Sequence, residues 1–127
     1  MTTDDPSPIR ILMANLSESL TRLVVEMVAQ NLHMKIVGQV QGQLEVLIGA
    51  QIGVDMIILG APKLKPAPGI VSHILNEYPN TKILVLSTSE DKGTGYWLGI
   101  HRCHIEYSTA DSLRTGIQEL SKMLPSM

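Results

Sequence analysis

A chain of 127 residues, 44% hydrophobic and 17% charged, is long enough to bury one full core, and its single Cys excludes an intrachain disulfide. A net charge of -2 offers no cationic excess for neutralising phosphates, which argues against direct nucleic-acid binding. No apolar run approaches the roughly 18 residues of a membrane span, and residues 1–8 are polar, acidic and proline-containing without a basic residue; the expectation is a cytoplasmic protein with a flexible leader over 1–8, one domain over 9–124 and a tail over 125–127.

The first apolar run, Ile9 to Ala14, is interrupted only by Arg10 and leads into Asn15-Leu16-Ser17-Glu18, where Asn or Ser can cap a helix. Leu20, Leu23, Val24, Met27 and Val28 then recur at helical spacing and predict a helix ending near Asn31. Lys35 to Val40 suits a pleated surface, Gly42 breaks the pattern, and Leu44, Leu47, Ile48 and Ile52 resume helical spacing. Met56 to Leu59, after Asp55 and before Gly60-Ala61-Pro62, reads as a strand buried on both faces. A proline-stiffened loop over 63–69 precedes a third helical stripe from Ile70 to Tyr78, ended by Pro79 and Asn80. Lys82 to Leu86 is a fourth strand that runs into Ser87-Thr88-Ser89.

The next segment is weaker. Between Glu90 and Gly99 stand three glycines and no apolar stripe beyond Tyr96-Trp97-Leu98-Ile100, so a frayed or truncated fourth helix is expected, each interior Gly costing about 0.5–1 kcal/mol relative to Ala. Cys103 to Tyr107 predicts a short edge strand, and Ser108-Thr109-Ala110-Asp111 starts a last helix carrying Leu113, Ile117, Leu120 and Leu124. Five strands alternating with five helices imply an α/β domain with a doubly wound, five-stranded parallel sheet of order 2-1-3-4-5, helices on both faces and a shortened fourth helix. That order sets the ends of the first and third strands side by side, gathering Asn15, Leu16 and Gly60 in one crevice with Ser87 and Glu106 flanking it.

Ile9-Arg10-Ile11-Leu12-Met13, Val37-Gly38-Gln39-Val40-Gln41-Gly42, Asp55-Met56-Ile57-Ile58-Leu59, Tyr78-Pro79-Asn80-Thr81-Lys82-Ile83-Leu84-Val85-Leu86-Ser87 and Gly99-Ile100 together resemble the receiver domain of bacterial response regulators, which has a flavodoxin-like fold. The resemblance implies a phosphorylation pocket built from two adjacent acids, a phosphoacceptor aspartate, a Ser or Thr and a lysine. Here the acid pair falls on Asn15 and Leu16, the phosphoacceptor on Gly60 and the lysine on Glu106, while Ser87 alone keeps its chemistry. The family's signalling aromatic falls near Cys103, and the segment after Ser87 is about three residues shorter than the family pattern. Magnesium is held by carboxylate and carbonyl oxygens, and phosphoryl transfer needs a nucleophile and positive charge near the developing oxyanions, so this pocket is expected to be inactive.

Other candidates read more plainly as structure. His101, Cys103 and His104 are soft ligands, but in a strand His104 points away from the other two, so neither a metal site nor a Cys103 nucleophile is expected. The glycine-rich stretch Gly93 to Gly99 lacks the sound helix that a phosphate loop needs, and Ser87-Thr88-Ser89 suits capping better than phosphate binding. Tyr96 and Trp97 are candidate contact anchors, grouped with Cys103 and Tyr107 as a partner or dimer surface, the face receivers use for pairing. The sequence therefore reads as a stand-alone, phosphorylation-independent pseudo-receiver, with no catalytic residue, cofactor or metal, that binds a kinase, a transcription regulator or its own copy. The competing reading is a sensor or small enzyme of flavodoxin-like shape that holds a small ligand or nucleotide through Asn15, Ser87 and Glu106.

Overall fold

The computed structural model describes residues 8–62, 64, 69–89, 91–97 and 109–121, and the backbone of 101–106. The leader over 1–7 and the tail over 125–127 lie outside the described residues, as does Tyr107. In chain order the elements are β1 (Ile9–Ala14), α1 (Glu18–Ala29), β2 (Met34–Val40), α2 (Gln43–Gln51), β3 (Met56–Ala61), α3 (Gly69–Glu77), β4 (Lys82–Ser87), β5 (Lys92–Trp97), β6 (His101–Glu106) and α4 (Ala110–Ser121). None of the described helices is long and apolar enough to cross a membrane.

Helix starts follow the local chemistry read from the sequence. The Ser17 hydroxyl accepts from the Leu20 amide at 3.3 Å, capping α1, and the Thr109 hydroxyl accepts from the Ser112 amide at 3.1 Å while Ser112 Oγ accepts from the Thr109 amide at 3.1 Å, a reciprocal cap on α4.

The strands form one sheet of order β2-β1-β3-β4-β5-β6 among the described residues. The pairs β1/β2, β1/β3 and β3/β4 are parallel, whereas β5 is antiparallel to both β4 and β6. The α/β architecture and the order 2-1-3-4 match the sequence reading, but the five-stranded, all-parallel sheet with a shortened fourth helix does not. The segment from Lys92 to Trp97 is a strand, inserted between β4 and the strand read as the fifth.

The reason lies at the end of β4. The Ser89 amide donates to Ser87 Oγ at 3.2 Å and the Thr88 amide donates to Ala61 O at 2.9 Å, so the chain turns back at once without starting a crossover helix. Glycine disfavours a helix interior as it does a strand, and Thr94, Tyr96 and Trp97 tip the choice toward the pleated form. Thr94 is buried, opposite Val85 on β4 and His104 on β6 in register.

Two apolar layers sandwich the sheet. Ile11, Met13, Met56, Ile58, Leu84 and Leu86 pack with Leu20, Val24 and Met27 of α1 and Leu113, Ile117 and Leu120 of α4. On the opposite face Leu12, Ala14, Ile57, Leu59, Ile83 and Val85 pack with Val46 and Ala50 of α2 and Ile70, Val71 and Ile74 of α3. The alternation along β3 feeds both layers, and burying each such side chain contributes about 1.5–3 kcal/mol.

Helix α2 departs from its reading. Of the residues that carry its helical spacing, Leu47 packs against the core beside the buried Val46, Gly49 and Ala50, while Leu44, Ile48 and Ile52 face outward. A Cβ on Gly49 would stand 2.6 Å from Leu12 Cδ2, so small residues must face β1 for the helix to lie against Leu12.

Because β5 lies between β4 and β6, proline at Thr94 removes an amide from a buried position inside the sheet. Thr94→Pro is expected to lower the unfolding free energy by on the order of 3 kcal/mol in urea denaturation, and amides of Lys92 to Trp97 should exchange slowly in the native protein. Fast exchange across that segment would contradict the inserted strand.

Candidate functional site

The carboxyl ends of β1, β3 and β4 bring Asn15, Leu16, Gly60 and Ser87 into one neighbourhood, since Ala14 pairs with Leu59 and Ala61 with Ser87. Asn15 adopts φ 55, the left-handed conformation that Asn tolerates better than most residues. Its amide donates to Val40 O at 3.1 Å, and its Oδ1 accepts from the Gly42 amide at 2.8 Å. The turn after β1 is thereby tied to the turn after β2.

The same turn lies directly on β3. A Cβ built on Gly60 would stand 2.3 Å from the Asn15 carbonyl oxygen, 3.0 Å from the Asn15 carbonyl carbon and 3.2 Å from Leu16 Cα. These are backbone atoms, which cannot swing aside as a flexible side chain would. The place where a side chain at position 60 would enter the crevice is filled by the Asn15–Leu16 peptide. Leu16 is turned into the core under α1 and α4 and is 8% exposed, so it faces packing rather than the crevice.

Ser87 is buried, and its hydroxyl lies 3.3 Å from Ser89 Oγ as well as accepting from the Ser89 amide. Ser89 Oγ in turn donates to Pro62 O at 3.2 Å, joining the turn after β4 to the segment after β3. The hydroxyl cluster thus serves a turn.

Glu106 does not join this group. Its strand, β6, is three strands from β3 and two from β4 in the sheet order, which at ~4.8 Å per strand sets it roughly 14 Å and 10 Å away along the sheet. The inserted β5 has displaced it, and the residue in register with it is Lys92. Lys92, exposed at the end of β5 nearest Ser87, is the cation on this rim that sequence reading left unassigned. A hairpin here would have been the signal for it.

No carboxylate stands among Asn15, Leu16, Gly60 and Ser87, so a hard cation finds no anionic oxygen there. Among the described residues no group of three or more His, Cys, Asp or Glu could hold a metal ion. Beside the filled crevice, a groove of about 760 Å³ is lined by Leu16, Thr21, Val25, Glu26, Gln39, Gln41 and the exposed Glu18–Arg22 pair at 2.8 Å.

Tyr96 and Trp97 do not share a face. Trp97 packs against the layer under α1 and α4, Tyr96 against the layer under α2 and α3, both half-buried. Cys103 is in register with Gly95 on β6, while its side chain and Tyr107 lie outside the described residues.

No family model matches the chain, and neither does any curated protein or solved structure.

At the other end of the sheet the polar groups are structural. The Arg10 amide donates to Asp55 Oδ2 at 2.8 Å, the Asp55 amide to Arg10 O at 3.0 Å and the Lys82 amide to Asp55 O at 3.0 Å. Lys82 Nζ donates to Ser121 O at 3.0 Å, fastening β4 to the end of α4. Desolvation pushes the Lys82 ammonium below its ordinary pKa, with the Asp55 carboxylate opposing the shift.

Because Gly60 lies against backbone, Gly60→Ala is expected to cost about 1–3 kcal/mol in urea denaturation and Gly60→Asp more; an alanine variant as stable as the parent would remove the close approach. For Lys82, a lowered folded pKa means the folded state binds fewer protons between that value and the ordinary lysine value of about 10.4. The stability of the parent relative to Lys82→Met should therefore rise as pH rises through this window and fall again as pH is lowered through the folded value. Denaturation of both proteins at matched pH reads the difference.

Proposed function

We propose that the chain is a receiver-like domain of bacterial two-component-type signalling that has given up phosphoryl transfer and acts, without enzymatic activity, by binding another protein in the cytoplasm. The observation that carries this reading is the Asn15–Leu16 peptide lying on Gly60, in the place where a receiver needs its acceptor carboxylate. The remaining positions agree with it. Asn15 supplies its amide oxygen to Gly42, Leu16 is core, Ser87 supports a turn, and Glu106 stands three strands away from β3.

Without a nucleophile and a metal-binding acid pair, regulation has to act through affinity. The edge at β6, next to β5 with Trp97 and Tyr96, is the surface this reading assigns to a kinase or regulator, with a second copy as the remaining option. The ligand-sensor alternative is weaker, because the groups it would use, Asn15 and Ser87, are engaged within the fold and Glu106 is remote from both.

Incubation with acetyl phosphate and magnesium should leave the intact mass unchanged in both the parent and Gly60→Asp, and a partner captured by the immobilised chain should be recovered equally with and without the phosphodonor. A stoichiometric phosphoryl adduct on the parent overturns the reading. A concentration-dependent rise in melting temperature with a nucleotide or flavin, where no protein partner is recovered, would replace it with the sensor.

A further inference from the structure

The outer face of α2 presents Leu44, Ile48 and Ile52 at 65%, 51% and 70% exposure. They are spaced by four residues and form one ridge along the helix, and Val37 of β2 joins Ile48 and Ile52 around a shallow apolar cavity of about 310 Å³. The inner face of the same helix is already committed to the sheet through Val46, Gly49 and Ala50. A helix that is apolar on both sides belongs in an interior, and contiguous exposed apolar surface marks an interaction site.

The charges around the ridge identify what fits it. Glu45 is the one charged residue within α2; its carboxylate is folded back toward Gly42 at the amino end. Arg10 stands at the carboxyl end, where its guanidinium donates to Gly53 O. Both line the cavity that Ile48 and Ile52 line, and neither forms an ion pair among the described residues. An acid at one end of a ridge and a base at the other, separated by a helix about 13 Å long, make a surface that is its own complement under a two-fold rotation.

We propose that this face is the contact between two copies of the chain, with α2 packed against α2 in antiparallel fashion about an axis near Ile48. Leu44 of one copy then faces Ile52 of the other, Glu45 faces Arg10, and the two helix dipoles oppose. Rows of residues four apart are those that interdigitate in the commonest class of helix packing. Strand-to-strand pairing along the β2 edge is disfavoured, because Lys35 is exposed there and the β1/β2 register skips Val37, a bulge that blunts the edge. The contact leaves the β5–β6 end of the sheet free, so it holds whether or not the interaction-module reading does.

Sedimentation velocity of the full chain from about 1 to about 100 µM should show a concentration-dependent monomer–dimer equilibrium. Ile48→Lys alters a position that is already half-exposed, so far-UV circular dichroism should stay native while the dissociation constant rises about tenfold or more. Glu45→Arg should weaken the dimer too, and Glu45→Arg combined with Arg10→Glu should restore it. A parent chain that sediments as a monomer throughout the range overturns the proposal, as does a dimer that Ile48→Lys leaves intact, which would place self-association on another face.

Discussion

The Asn15–Leu16 peptide resting on Gly60 is the contact around which the carboxyl end of the sheet is organised. It needs two residues at once. Position 60 must lack a Cβ, because the Asn15 carbonyl oxygen stands 2.3 Å from where one would be; position 15 must accept φ 55, which costs most L-residues roughly 1–2 kcal/mol and Asn less. The Asn15 side chain then returns a benefit that glycine at this position would not, since its Oδ1 takes the Gly42 amide just ahead of α2. The turns after β1 and β2 are joined through one residue that also rests on β3, and any larger side chain at position 60 would have to displace it.

That contact makes the carboxyl end of β3 a packed region. The space beside Gly60 is closed by backbone, Leu16 is used as core, and the hydroxyl at Ser87 accepts from the Ser89 amide in the turn that precedes β5. Inserting β5 moves the final strand outward by one position and takes Glu106 with it. These changes reinforce one another: a closed crevice has no need of a cation opposite it, and a reversed chain after β4 leaves no room for a crossover helix.

How much of this was legible in the sequence depends on what the residues had to report. The runs Ile9 to Ala14, Met56 to Leu59 and Lys82 to Leu86 are buried on both faces, so their near-continuous apolar character identified the central strands without reference to neighbours. Asn15, Gly60 and Ser87 were identified as a group because the strand order follows from those runs. What they do there was not legible, since the contact of Gly60 with a peptide distant in sequence leaves no periodic trace. Lys92 to Trp97 was misread for a related reason. Glycine penalises helix and strand alike, and the deciding fact, a chain reversal stabilised by Ser87, Ser89 and Ala61, is tertiary.

Helix α2 shows a different failure, in which a clear periodicity did not sort its residues between core and solvent. Hydrophobic spacing reports which residues lie together on a helix and says nothing about which side meets the sheet. Here Leu12 projects from β1 so close to α2 that a Cβ at Gly49 would clash with it; Val46, Leu47 and Ala50 are taken up by the core, and Leu44, Ile48 and Ile52 are left outside. Exposing Leu44, Ile48 and Ile52 to water forgoes the roughly 1.5–3 kcal/mol that burying each would contribute. The proposed pairing of two copies along α2 would recover that burial, with the acid and the base at the two ends of the ridge brought together. In such a pair the fit between copies rests on the shape of α2 and its two charges, and the Asn15 bond to the Gly42 amide holds the amino end of that helix in place.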